Sequence, residues 1–120
     1  MLAGCSAAPS QASSRPAPAT AAPAGGQLLR DRGITNGPAH FALPAGVQAL
    51  RTIDQPNVVT LVFGVEDGRK VLDYLLLHGA ALGMTQLRTG NQSATFEVDG
   101  WDGGFTISSE ISGLTLRRQA

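Results

Sequence analysis

Cysteine occurs once in these 120 residues, at Cys5. A lone thiol excludes an internal disulfide and any zinc site built on paired thiolates. Charge of one sign is missing too, since nine basic residues balance nine acidic ones. Such a chain has no electrostatic footprint for nucleic acid and no polybasic patch for an anionic membrane surface. Split at His40, the first part carries Arg15, Arg30 and Arg32 against Asp31, and the rest is mildly acidic. No apolar run approaches the roughly 18 residues that a membrane-spanning helix requires. Low lysine beside abundant alanine and arginine points to a GC-rich source.

Patterns that carry chemistry are equally sparse. The glycines form neither a phosphate-binding loop nor a dinucleotide fingerprint, and Ser108-Ser109 sits in no nucleophile elbow. Glu97, Asp99 and Asp102 cluster around Asp-Gly-Trp-Asp-Gly-Gly. Their spacing does not supply the alternating oxygens and distant glutamate of a calcium loop, so they read as turn residues. His40 and His78 are the only histidines, and neither has a second ligand nearby in sequence. His78 falls near a helix C-terminus, where a cation is favoured by the dipole. The expectation is therefore no catalytic residue, no cofactor and no metal site.

What the chain does contain is organised around Val58–Gly83. Val58, Val59, Leu61, Val62 and Phe63 put apolar groups on both faces of a strand, the signature of a central, doubly covered one. Glu66-Asp67-Gly68 breaks it, with Asp67 as an N-cap. Val71, Leu72, Leu75, Leu76, Gly79 and Leu82 then recur at steps of three and four, one face of a helix. Gly79 inside that stripe predicts close packing on the sheet, and Gly83 supplies a left-handed C-terminal residue. Upstream, Val47 to Ile53 reads as a first strand, joined to Val58 by the turn Asp54-Gln55-Pro56-Asn57.

Downstream the chain reads as hairpins. Turns at Gly90-Asn91, Asp99-Gly100 and Ser112-Gly113 set Leu87 opposite Ala94, Val98 opposite Trp101, and Ile111 opposite Leu114. This register collects Leu87, Ala94, Phe96, Val98, Trp101, Phe105, Ile107, Ile111, Leu114 and Leu116 on one face. Arg88, Ser93, Thr95, Glu97, Thr106, Ser108, Glu110, Thr115 and Arg117 fall on the other. Trp101 is a possible contact for a partner, although its parity directs it into the core. The predicted fold is α+β, a mainly antiparallel sheet of five or six strands with one α-helix packed on one face. The polar face is left to solvent, a ligand or a partner strand.

The N-terminus has a different character. Ser6 to Gln27 is mostly alanine, proline and serine with two glycines, a composition that cannot offset its ordering entropy by burial. As a coil it spans roughly 25 Å, and as extended polyproline II about 70 Å. Ahead of it, Leu2-Ala3-Gly4-Cys5 resembles the lipobox of bacterial lipoproteins, with serine following the cysteine. The tail-plus-domain plan resembles small actinobacterial-type envelope lipoproteins. That resemblance implies a diacylglycerol-carrying Cys5, a truncated signal remnant over 1–5 and a disordered tether over 6–39. It also implies a single domain over 40–120 on the outer face of the plasma membrane. Only Met1 to Gly4 precede Cys5, shorter than a signal peptide, so this reading comes with a start placed too far downstream or a trimmed chain, the alternative being a chance match. If Met1 is the true start, the protein is cytoplasmic and Cys5 is a free thiol.

Three functional expectations follow. The first is a lipid-anchored, non-enzymatic domain that binds a protein or envelope component. The second is a secreted domain binding a small ligand beside the helix, and the third a cytosolic interaction module with a disordered tail. None involves nucleic acid.

Overall fold

Alternation along Val58–Phe63 sets the sheet. Val59, Leu61 and Phe63 are fully buried, while Val58, Thr60 and Val62 on the opposite face are half-buried. The strand is interior to the sheet, but only one of its faces is covered, which corrects the doubly covered expectation. The computed structural model describes residues 22–119, so Cys5 and the lipobox-like run lie outside the described residues.

The elements in chain order are β1 (Gly26–Leu28), a 3-10 turn (Arg30–Arg32), β2 (Ala42–Pro44), β3 (Arg51–Asp54), β4 (Val58–Phe63) and α1 (Val65–His78). Then come β5 (Met84–Gly90), β6 (Ser93–Val98), β7 (Trp101–Ile107) and β8 (Ser112–Arg118). Strands β3 to β8 make one antiparallel sheet in the order β3-β4-β8-β7-β6-β5. Helix α1 carries the chain from β4 across the inner face to the far edge. The meander β5–β8 then returns until β8 pairs with β4. The fold is α+β, a helix against an antiparallel six-stranded sheet, with β1 and β2 as a small second sheet beside the helix.

The helix starts earlier than its acidic turn suggests. Gly64 occupies the N-cap position, and Asp67 lies in the first turn, where its carboxylate accepts the Gln48 backbone N–H at 3.1 Å. The carboxylate still sits where the helix dipole favours it. Gly68, Val71, Leu72, Tyr74 and Leu75 are the buried residues of the helix, whereas Leu76 is 42% exposed. Leu82 is buried in the turn after the helix, and Gly83 takes the expected left-handed conformation at φ 82°. Gly79 lies against Met84, but the closest approach to the sheet is at Gly68. A Cβ there would overlap Oγ and Cβ of the buried Ser112.

Three hairpin expectations meet three outcomes. Asp99 (φ 50°) and Gly100 (φ 82°) form the predicted two-residue turn and pair Val98 with Trp101. The next turn is displaced by one residue, to Asn91-Gln92, pairing Thr89 with Ala94. A bulge between Thr85 and Arg88 then shifts the register, with Gln86 at φ 54°, and leaves Leu87 exposed rather than opposite Ala94. Ser112-Gly113 is not a turn but the start of β8. The chain reverses over Ser108–Ile111, where the Ser108 hydroxyl accepts the Ile111 N–H at 3.2 Å, and Ile111 is 50% exposed. Leu114 and Leu116 stay inward because the register moved by an even number of residues. The first strand is also shorter than expected, with Val47 buried in the connection that precedes β3.

The largest departure lies in residues 26–39, read from sequence as tether. Gln27 pairs with Leu43 across β1 and β2, and Leu28, Leu29 and Ile34 are buried. Their spacing shows no period, so no amphipathic signal marked them. They are held by contact with Phe41, Leu43 and the sheet. Phe41 stacks on Phe96 with ring centroids 5.8 Å apart, and the Phe96 ring occupies the space a side chain on Gly103 would need. On the helix side, the Tyr74 hydroxyl donates to the Pro23 carbonyl at 3.0 Å.

Gly68→Ala should therefore destabilise the protein by about 1–3 kcal/mol in chemical denaturation, overpacking outweighing the helix-propensity gain. Ser112→Gly in the same chain should recover part of that loss. A Gly68→Ala protein as stable as the parent would show that the helix seat is not tight.

Candidate functional site

The residues that bring the chain out of β1 help to line an open depression in the described surface. Leu29 and Ile34 are buried on either side of the 3-10 turn, and the Ile34 N–H donates back to the Leu29 carbonyl at 3.0 Å. Gly33 closes the loop at φ 86°. Anchored at both ends, the turn directs Arg32 into an open depression of about 430 Å³. Its walls come from both layers, Gln27, Ile34 and Val47 from the N-terminal layer and Thr52 and Leu61 from the sheet.

Arg32 is half-buried, and its partners are uncharged oxygens. Nη2 donates to the Val47 carbonyl at 2.7 Å. Nη1 donates to Gln27 Oε1 at 3.2 Å and to the Pro44 carbonyl at 3.4 Å. Burial lowers the pKa of the guanidinium, yet an arginine stays protonated at any physiological pH. Among the described residues, the result is an oriented cation whose hydrogen-bond partners are dipoles.

The neighbouring loop is fixed by the opposite charge. The Asp54 carboxylate accepts the Thr35 N–H at 2.8 Å and the Thr35 hydroxyl at 3.0 Å on one oxygen. Its other oxygen accepts the Asn36 N–H at 3.0 Å and the Asn36 amide at 2.9 Å. The Thr35 backbone N–H, against the upward push of desolvation and with further help from Asn36 and the Thr35 hydroxyl, holds this carboxyl below the ordinary value. Asp54 thus clamps the residues next to Ile34, a wall of the depression.

Arg32 and Asp54 were not singled out by sequence reasoning. The signal for Arg32 was a charged tripeptide framed by Leu28-Leu29 and Ile34. Asp54 was legible only as a turn residue. Of the residues that were singled out, Trp101 is 3% exposed. The Arg118 guanidinium lies 4.8 Å from its ring centroid, so Trp101 is a core residue and presents no face to a partner. Glu97 and Asp102 stand opposite each other in register, with Asp102 accepting the Gln119 amide at 2.8 Å. Asp99 is in the hairpin turn, and no group of three acidic, histidine or cysteine side chains among the described residues could hold a metal. His78 ends the helix with its ring centroid 4.4 Å from that of Tyr74. His40 precedes β2 with Nδ1 buried and without a hydrogen-bond partner among the described residues.

The outer sheet face carries Ser93, Thr95, Thr106 and Thr115 of the polar set expected there, while Ser108 and Glu110 fall in the reversal between β7 and β8. Thr60, Thr115, Gly104 and Thr95 lie in one row across β4, β8, β7 and β6. Among the described residues no helix is long and apolar enough to cross a membrane. No family model, no curated protein and no solved structure matches this chain.

The Asp54 clamp has a definite pH dependence. A carboxyl with a depressed folded pKa contributes stability that is fully present above its unfolded value, near 3.8, and lost as pH falls through the folded value. Asp54→Asn should therefore be less stable than the parent at about pH 6, with the gap closing towards about pH 3. A gap independent of pH would show that the carboxylate charge is not what holds the loop.

Proposed function

We propose that this chain is a lipid-anchored protein of the cell envelope whose α+β domain acts by binding, with the Arg32 depression as its contact site. The observation that carries the binding reading is the half-buried guanidinium, held in one orientation by neutral oxygens at an open concave surface. A half-buried cation without a counter-charge gives up part of its hydration, and a ligand or partner bearing negative charge offsets that loss. The anchoring reading is supported by Leu2-Ala3-Gly4-Cys5 and by the alanine, proline and serine run behind it. Chain order joins the two. The run meets the fold at Pro23, and β1, which follows directly, contributes Gln27 to the depression. The contact site is thus built in part by residues close behind the alanine, proline and serine run.

A second reading, a small-ligand binder, is favoured by the concavity itself. A depression of about 430 Å³ falls within the usual range of small-molecule sites. The two readings differ in partner and share the site.

Mass spectrometry of the N-terminal peptide, from protein made at its native locus, tests the anchor. A peptide beginning at Cys5 and carrying diacylglycerol is expected, together with loss of the protein from the membrane fraction on Cys5→Ser. An unmodified peptide beginning at Met1, in soluble protein, would replace the anchored reading with a cytoplasmic binding module.

A further inference from the structure

We propose that the Arg32 depression receives a carboxylate, bound side-on by the guanidinium. The proposal deepens the reading of the depression as a contact site and rests on it. The first argument is donor geometry. Nη1 donates to Gln27 Oε1 and to the Pro44 carbonyl, and Nη2 to the Val47 carbonyl. Among the described residues the Nε–H and the second Nη2–H have no acceptor. Nε and Nη2 bound one edge of the planar guanidinium, and that edge matches the two oxygens of a carboxylate.

The second argument is preorganisation. The three acceptors span β1, β2 and the connection to β3, so the fork is held before any ligand arrives. A fixed fork loses less rotamer entropy on binding than a free arginine at a surface. None of the three neutralises its charge.

The lining also bears on the ligand's charge. Ile34, Val47 and Leu61 lie beneath the depression but are themselves buried, so its exposed surface is mostly polar. Aspartate and glutamate do not contribute to it, so no resident carboxylate competes for the fork. A phosphate dianion would bring more oxygens and more charge than one guanidinium can pair, and desolvation of the remainder would oppose binding. A monocarboxylate has two oxygens and a single charge for a single cation. It can come from a free aliphatic acid or from the C-terminus of a peptide.

The test is an NMR titration of the full chain with hexanoate, hexanamide and 2-propanol, following the Arg32 Nε–H and the methyls of Ile34, Val47 and Leu61. Hexanoate should shift all of these and bind about tenfold or more tightly than hexanamide, the difference one charge-assisted pair makes. Arg32→Lys keeps the charge without the planar edge and should lose most of that advantage. Because Arg32 also ties three segments together, Ala49→Asp serves as a second variant. It places a competing carboxylate in the depression, leaves the Arg32 hydrogen bonds intact and should abolish hexanoate binding in a folded protein.

A tripeptide ending in a free valine carboxylate and its C-terminal amide distinguish the sources. Tighter binding of the acid peptide than of hexanoate assigns the carboxylate to a chain terminus, and the reverse assigns it to a free acid. Equal binding of hexanoate and hexanamide would overturn the proposal. If 2-propanol still shifts the same methyls in that case, the depression remains a contact site for another ligand class. If nothing shifts them, both readings fall.

Discussion

The close approach of Gly68 to Ser112 is the contact on which the arrangement of layers depends. Ser112 is buried on β8, and its hydroxyl donates to the carbonyls of Gly64 and Phe63 at 3.1 and 3.2 Å. That hydroxyl ties the turn between β4 and α1 to the strand that returns beside β4. A glycine at position 68 lets the first turn of the helix come down onto it. With the start of α1 fixed there, Val71, Leu72 and Leu75 are set onto the sheet, and Tyr74 on the same helix reaches the Pro23 carbonyl. The position of the helix thereby defines the space left beside it. Residues 26–47 fill that space, and the depression opens at their seam with β3 and β4.

Two charges on either side of Ile34 do opposite work in that seam. Asp54 has its acceptor sites taken by four donors from Thr35 and Asn36. It is a closed latch, stable as an anion because each oxygen is paired. Arg32 is oriented as firmly but keeps one edge open. A saturated ion fixes a loop, whereas an oriented and partly unsaturated one is poised to fix something else. The binding reading rests on this contrast rather than on the size of the depression.

Sequence reasoning located the sheet because period-two alternation is insensitive to even errors of register. Ser112-Gly113 was mistaken for a turn, yet Leu114 and Leu116 still face inward. Leu87 and Ile111 were misplaced where alternation itself stops, at a bulge and in a four-residue reversal. The helix was legible from its stripe, but its start was not, because Asp67 serves the dipole from inside the first turn and a glycine takes the cap. The N-terminal layer was invisible for a different reason. Leu28, Leu29 and Ile34 carry no period of their own, and they are buried in a core shared with the rest of the chain. A site made half from that layer could not be read before the layer was seen to fold. Arg32 gave no signal because its role lies in carbonyls 12 and 15 residues away.

The central claim is that residues 26–47 fold as one cooperative unit with the sheet, so that the seam holding Arg32 is permanent. Native-state hydrogen exchange tests it most directly. The Leu29 N–H donates to the Phe41 carbonyl at 3.2 Å, and the Ile34 N–H to the Leu29 carbonyl at 3.0 Å. In a single unit these two amides exchange only through global opening and match the protection of Val59 and Leu61 in β4. Exchange at Leu29 and Ile34 near the rate of an unfolded chain, with β4 still protected, would contradict the account and return this segment to the tether.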